Sequence, residues 1–106
     1  MKRADIISNI QILARQVLPA GAKLILFGSQ ARGDANAESD WDMLILLNKI
    51  SIASDDFDHF AYPFVKLGIQ VGEYFSMKLF TQDDWNRHYW HPFFKNIVND
   101  GIVLCS

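Results

Sequence analysis

The sequence holds one cysteine, and that residue, Cys105, stands next to the last position. An internal disulfide is therefore excluded, and with no metal-ligating companion near it a cysteine metal centre is excluded too, so a reducing, cytoplasmic setting is expected. Positive charge is also short. Ten Lys and Arg against twelve Asp and Glu leave a net charge of -2, without the basic cluster that phosphate neutralisation along a nucleic acid demands. No apolar run approaches the roughly 18 residues of a membrane span. Met1-Lys2-Arg3 opens like a secretory leader, but Ser8, Asn9, Gln11, Arg15 and Gln16 interrupt what would be its apolar core, so no leader is expected. Repeats, linkers and low-complexity tracts are absent. What the chain has in quantity is core material: half of its 106 residues are hydrophobic and 13% are aromatic, enough for a single domain spanning 1–106.

Ile6, Ile10, Leu13 and Val17 recur at helical spacing, widened by Ile7 and Ala14, and Pro19 and Gly21 stop the pattern. Lys23 to Phe27 is too short for a helix and reads as a central strand covered on both faces. A short helical turn capped by Ser29 follows, then a polar loop from Gly33 to Ser39, then a second apolar strand from Trp41 to Leu47. Phe57, Phe60 or Ala61, and Phe64 predict a helix kinked at Pro63 and ended by Gly68. Ile69 to Phe80 is expected as a third strand region, with a bulge at Gly72. Thr81-Gln82-Asp83-Asp84 has the form of a capping box, and HPFFKNIVNDG carries a further helical pattern closed by Gly101. The order predicts an α/β (α+β) domain, a small mixed sheet of three or four strands flanked by helices.

Chemistry concentrates in Gly28-Ser29-Gln30-Ala31-Arg32-Gly33 and in Ser39-Asp40-Trp41-Asp42. Side chains alternate along a strand, so Asp40 and Asp42 point one way and Trp41 the other. Two carboxylates aimed at one point repel unless a hard cation such as Mg²⁺ lies between them; a solvated pair at a strand start is the plain alternative. A glycine ending a strand lets backbone approach a ligand closely, and the N–H groups of the next helix start attract phosphate. Antiparallel pairing of the two strands would bring Gly28-Ser29 against Asp40 and Asp42. Arg32, one turn on, would add a cation to the same phosphates or brace the loop.

These two motifs together resemble the signature of the DNA polymerase beta-like nucleotidyltransferases, in particular their minimal prokaryotic members, the MNT proteins. The resemblance implies the nucleotidyltransferase fold and a Mg²⁺-dependent transfer of a nucleoside monophosphate from an NTP, ATP foremost, to a hydroxyl acceptor. It implies Asp40 and Asp42 as catalytic metal ligands in a site with room for two metal ions, and Gly28, Ser29 and Arg32 as nucleotide-binding residues. It also implies a helical HEPN-type protein partner, as in toxin–antitoxin pairs, with AMP transfer to that partner in some systems.

Active members carry a third carboxylate on the following strand, and here the sequence departs. Ser76 stands about where that acid is expected, with Tyr74 on the same face. Glu73 is the third metal candidate, but it falls on the opposite face unless a bulge at Gly72 resets the phase. A second reading follows, a degenerate nucleotide- or partner-binding module that acts as an antitoxin by contact. An isolated nucleotide-binding or regulatory domain is a third.

Other polar groups have plainer explanations. Asp55, Asp56 and Asp58 near His59 read as surface caps at a helix start. His88 and His91 lack a third ligand, and His91 precedes Pro92, where a helix breaks. Trp85, Tyr89, Trp90, Phe93 and Phe94 read as core packing, with part left over for an oligomer or partner surface.

Overall fold

A computed structural model describes residues 1–88 and 90–106. Its elements run α1 (Arg3–Val17), β1 (Lys23–Phe27), α2 (Ser29–Arg32), β2 (Trp41–Leu47), a π-helical turn (Phe57–Ala61), α3 (Tyr62–Val71), β3 (Phe75–Thr81), α4 (Gln82–His88), α5 (Pro92–Asp100) and β4 (Ile102–Cys105). The four strands form one mixed sheet in the order β3-β2-β1-β4. β1 lies antiparallel to both β2 and β4, whereas β2 and β3 are parallel.

Strand alternation divides the core into two layers. Leu24 and Leu26 of β1, Trp41, Met43, Ile45 and Leu47 of β2, and Phe75 and Met77 of β3 face one way and pack with Ile6, Ile10 and Ala14 of α1 and Phe64 of α3. Ile25, Leu44 and Leu46 face the other way, under Ile97 of α5, with Phe27, Phe80, Trp85 and Phe93 around them. Covering both faces is what makes β1 and β2 read as unbroken apolar runs. Trp41 is only 2% exposed and lies against the Phe75 ring, so it is a core residue and no ligand can stack on it.

The structure corrects several boundaries. α3 runs through Gly68 to Val71, because a β-carbon at Gly68 would meet Phe75 and the Glu73 carbonyl at about 3 Å; Gly68 serves the close approach of α3 to β3 rather than ending the helix. Gly72, at φ +77°, is the left-handed cap of α3 and not a bulge, and β3 begins at Phe75. Gly28, not Ser29, is the N-cap of α2, and Ser29 is the first helical residue. β4 is an edge strand that periodicity did not mark.

Asp56 is buried rather than a surface cap: its carboxylate accepts from the Ala53 N–H at 2.7 Å and from the Lys49 ammonium at 2.8 Å, pinning the loop after β2. Those hydrogen bonds, Lys49 first, lower its pKa. His91 caps α5, its Nδ1 accepting from the Phe93 N–H, and Thr81 Oγ1 accepts from the Asp84 N–H, one of the two hydrogen bonds of a capping box. Phe80, Trp85, Phe93 and Phe94 pack edge to face, with Trp90 exposed beside them. Tyr89, read as part of that group, lies outside the described residues. No helix among the described residues is long and apolar enough to cross a membrane.

Candidate active site

β1 and β2 pair so that Phe27 stands opposite Asp42, which puts Gly28 at the head of β1 beside the start of β2. Gly28 has φ +73° and ψ -157°, a backbone conformation that an L side chain rarely tolerates. A β-carbon there would fall 2.5 Å from Asp42 Oδ2. The absence of a side chain at Gly28 is therefore what makes room for the Asp42 carboxylate. The Gly28 carbonyl accepts from the Ala31 and Arg32 N–H groups, turning the chain into α2. Arg3 of α1 holds that turn in place, donating to the Gln30 carbonyl at 2.8 Å.

Asp42 is half-buried on the α5 face of the sheet and Asp40 precedes it, exposed. Burial raises the pKa of Asp42 above its ordinary value, and the charge of Asp40 raises it further; Lys78 and Arg32 act in the opposite direction. Two like charges, one of them partly withdrawn from water, repel each other and favour a cation between them. Hard oxygen donors suit Mg²⁺, which characteristically takes one or two carboxylates and completes its shell with water and substrate phosphates. The residues thus fit that ion, and a cavity bordered by Gly28 and Arg32 leaves room for phosphates nearby. Among the described residues no three of His, Cys, Asp and Glu assemble into a fuller metal site.

Arg32 is exposed and held between two carboxylates, Nε to Asp34 at 3.3 Å and Nη1 to Asp100 at 3.4 Å. Its hydrogen bond to Asp34, then the one to Asp100, keep it firmly charged. On the other side of Asp42, β3 runs in parallel register and presents Ser76 as the direct partner. Glu73 precedes β3, its N–H bonded to the Gly68 carbonyl, and no bulge interrupts the pairing to carry it onto the Asp42 face.

Four residues of α5, Phe93, Asn96, Ile97 and Asp100, border the site, and nothing in the sequence places them there. A cavity of about 190 Å³ opens beside Gly28 and Arg32, walled by Phe27 and by Phe93, Asn96 and Asp100 of α5. Only the docking of α5 on the sheet brings them there. A hydrophobic helical stripe discloses that α5 packs, not what its neighbouring polar positions will face.

Residues 8–89 match the family model of the nucleotidyltransferase domain. The chain belongs to that family. A curated relative from Methanocaldococcus jannaschii, named as a protein adenylyltransferase, is 34% identical over 82 residues, covering 77% of this chain and 76% of the relative. Among solved structures, the crystal structure of a toxin–antitoxin with AMP-PNP superposes with a TM-score of 0.62 over 94% of this chain and 73% of that one. At 20% identity this likeness shows a shared fold, in agreement with the nucleotidyltransferase architecture. Gly28, Ser29, Arg32, Asp40 and Asp42 all lie inside the matched span, with Ser29 and Arg32 on α2, Asp42 on β2, and Gly28 and Asp40 immediately before those two elements.

Proposed function

We propose that the protein binds a Mg²⁺-complexed nucleoside triphosphate, ATP foremost, and transfers its nucleoside monophosphate to a hydroxyl on a helical protein partner of HEPN type. The observation that carries this is the contact of Gly28 with Asp42: a glycine at φ +73° gives its side-chain space to a metal-type carboxylate, and a cavity for phosphates opens beside it and Arg32. The relative named as a protein adenylyltransferase supports AMP as the transferred group and a protein as its acceptor.

In this mechanism Asp40 and Asp42 hold the metal, and the backbone at Gly28 with the Ser29 hydroxyl orients the triphosphate. Arg32, freed from Asp34 and Asp100 by the competing phosphates, neutralises their charge. The acceptor oxygen attacks the α-phosphorus, the bond to the bridging oxygen of the β-phosphate breaks, and pyrophosphate leaves with that electron pair while the acceptor proton passes to solvent. Bound Mg²⁺ would supply Lewis-acid stabilisation of the charge that develops on the phosphoryl oxygens. The reaction belongs in the cytoplasm, where ATP and Mg²⁺ are supplied.

Ser76 opposite Asp42 favours a second reading. Without a third carboxylate the site lacks a resident base, and the protein would act as an antitoxin by binding nucleotide and partner without turnover. One assay separates the two: Mg²⁺, labelled nucleoside triphosphates and the neighbouring gene product, with wild type compared against Asp42→Ala. Label transfer that disappears in the variant establishes the enzyme. Partner binding that survives the variant, with no transfer in either protein, establishes the module.

A further inference from the structure

Lys78 is a charge on the site face that the signature motif does not include. β3 pairs with β2 in unbroken parallel register, Ser76 against Asp42 and Lys78 against Leu44. Phe75 and Met77 are buried in the α1–α3 layer, so by alternation Ser76 and Lys78 stand on the face that carries Asp42. Lys78 is exposed, and among the described residues it enters no ion pair. Arg32, the cation of the motif, is by contrast held by Asp34 and Asp100. Where a third carboxylate would have drawn in more metal, this strand offers a hydroxyl and an ammonium, donors suited to an anion rather than to a cation.

We propose that Lys78 is a phosphate ligand of the bound nucleotide, its ammonium donating to a non-bridging phosphate oxygen from the β3 side while Arg32 approaches from the α2 side. The assignment rests on the proposed nucleotide site and deepens it. An ammonium on a flexible stem is a point charge that follows the phosphates, and it supplies from the protein itself part of the neutralisation that a second metal ion would provide.

Calorimetric titration of wild type, Lys78→Met, Lys78→Arg and Asp42→Asn with ATP in saturating Mg²⁺ tests it. Lys78→Met is expected to weaken binding by about tenfold, the scale of one charge-assisted hydrogen bond, and Lys78→Arg to stay near wild type. Binding by Lys78→Met equal to wild type overturns the assignment. So does Lys78→Arg as weak as Lys78→Met, since packing rather than charge would then be at stake. If wild type itself takes up no ATP, the proposed nucleotide site fails and the assignment with it, an outcome distinct from a wild type that binds and a Lys78 variant that binds equally well.

Discussion

Gly28 and Asp42 exclude each other's enlargement: the glycine sits at φ +73°, and any β-carbon on it would lie 2.5 Å from the Asp42 carboxylate oxygen. Gly28→Ala therefore meets two penalties, a left-handed backbone and a displaced carboxylate. The expected loss is about 1–3 kcal/mol of stability together with loss of Mg²⁺-dependent nucleotide binding. Urea unfolding reads the first and calorimetry the second. Unchanged stability with unchanged binding would mean that the contact is slack.

Asp42 is ionised at a cost to the fold. Its folded pKa lies above the ordinary value through burial and the neighbouring Asp40, so its contribution to stability is fully present below the unfolded pKa and is lost as pH rises through the folded one. In metal-free buffer at neutral pH, Asp42→Asn should melt above wild type, and the gap should close as pH falls toward about 4. Added Mg²⁺ with ATP should raise the melting temperature of wild type and leave the variant unmoved. A variant less stable than wild type at neutral pH would contradict this.

Asp56 predicts the opposite sign. Its pKa is lowered by the Lys49 and Ala53 hydrogen bonds, so its stabilisation is present above the unfolded pKa and is lost as pH falls through the folded one. Asp56→Asn should melt below wild type at neutral pH, with the difference shrinking below about pH 4. Thermal denaturation of both proteins across that range checks it; a difference that does not depend on pH would assign the effect to packing.

The parts of this fold that were visible in the sequence are those where one physical cause dominates. β1 and β2 are buried on both faces and read as apolar runs, and with the two strands taken as an antiparallel pair Gly28 and Asp42 are expected to meet. The α3–β3 boundary was misplaced because Ile69 and Val71 are β-branched residues inside a helix, where tertiary packing overrides local preference. β4 escaped notice because it is short and at the sheet edge, with Ile102 and Val103 exposed. Lys78 and Asn96 were invisible for a different reason. Their place depends on the parallel register of β3 and on the docking of α5, neither of which any local pattern encodes.

Arg32 carries a further expectation, because its two carboxylate partners compete with phosphate for one guanidinium. Asp100→Asn removes one competitor while keeping the shape of the cavity wall. Nucleotide binding should tighten a few-fold, roughly the worth of an exposed ion pair, with the larger gain at low salt. Weaker binding would instead make Asp100 a direct ligand of the nucleotide.

Gly28 and the Asp40–Asp42 pair, as a metal-dependent nucleotide site, are tested by ATP binding to wild type and Asp42→Asn in calorimetry, with Mg²⁺ and with chelator. Wild type should bind ATP with Mg²⁺ and lose most of that affinity in chelator, while Asp42→Asn should be weak in both. Equal affinity in all four titrations, or none in wild type with Mg²⁺, would contradict it.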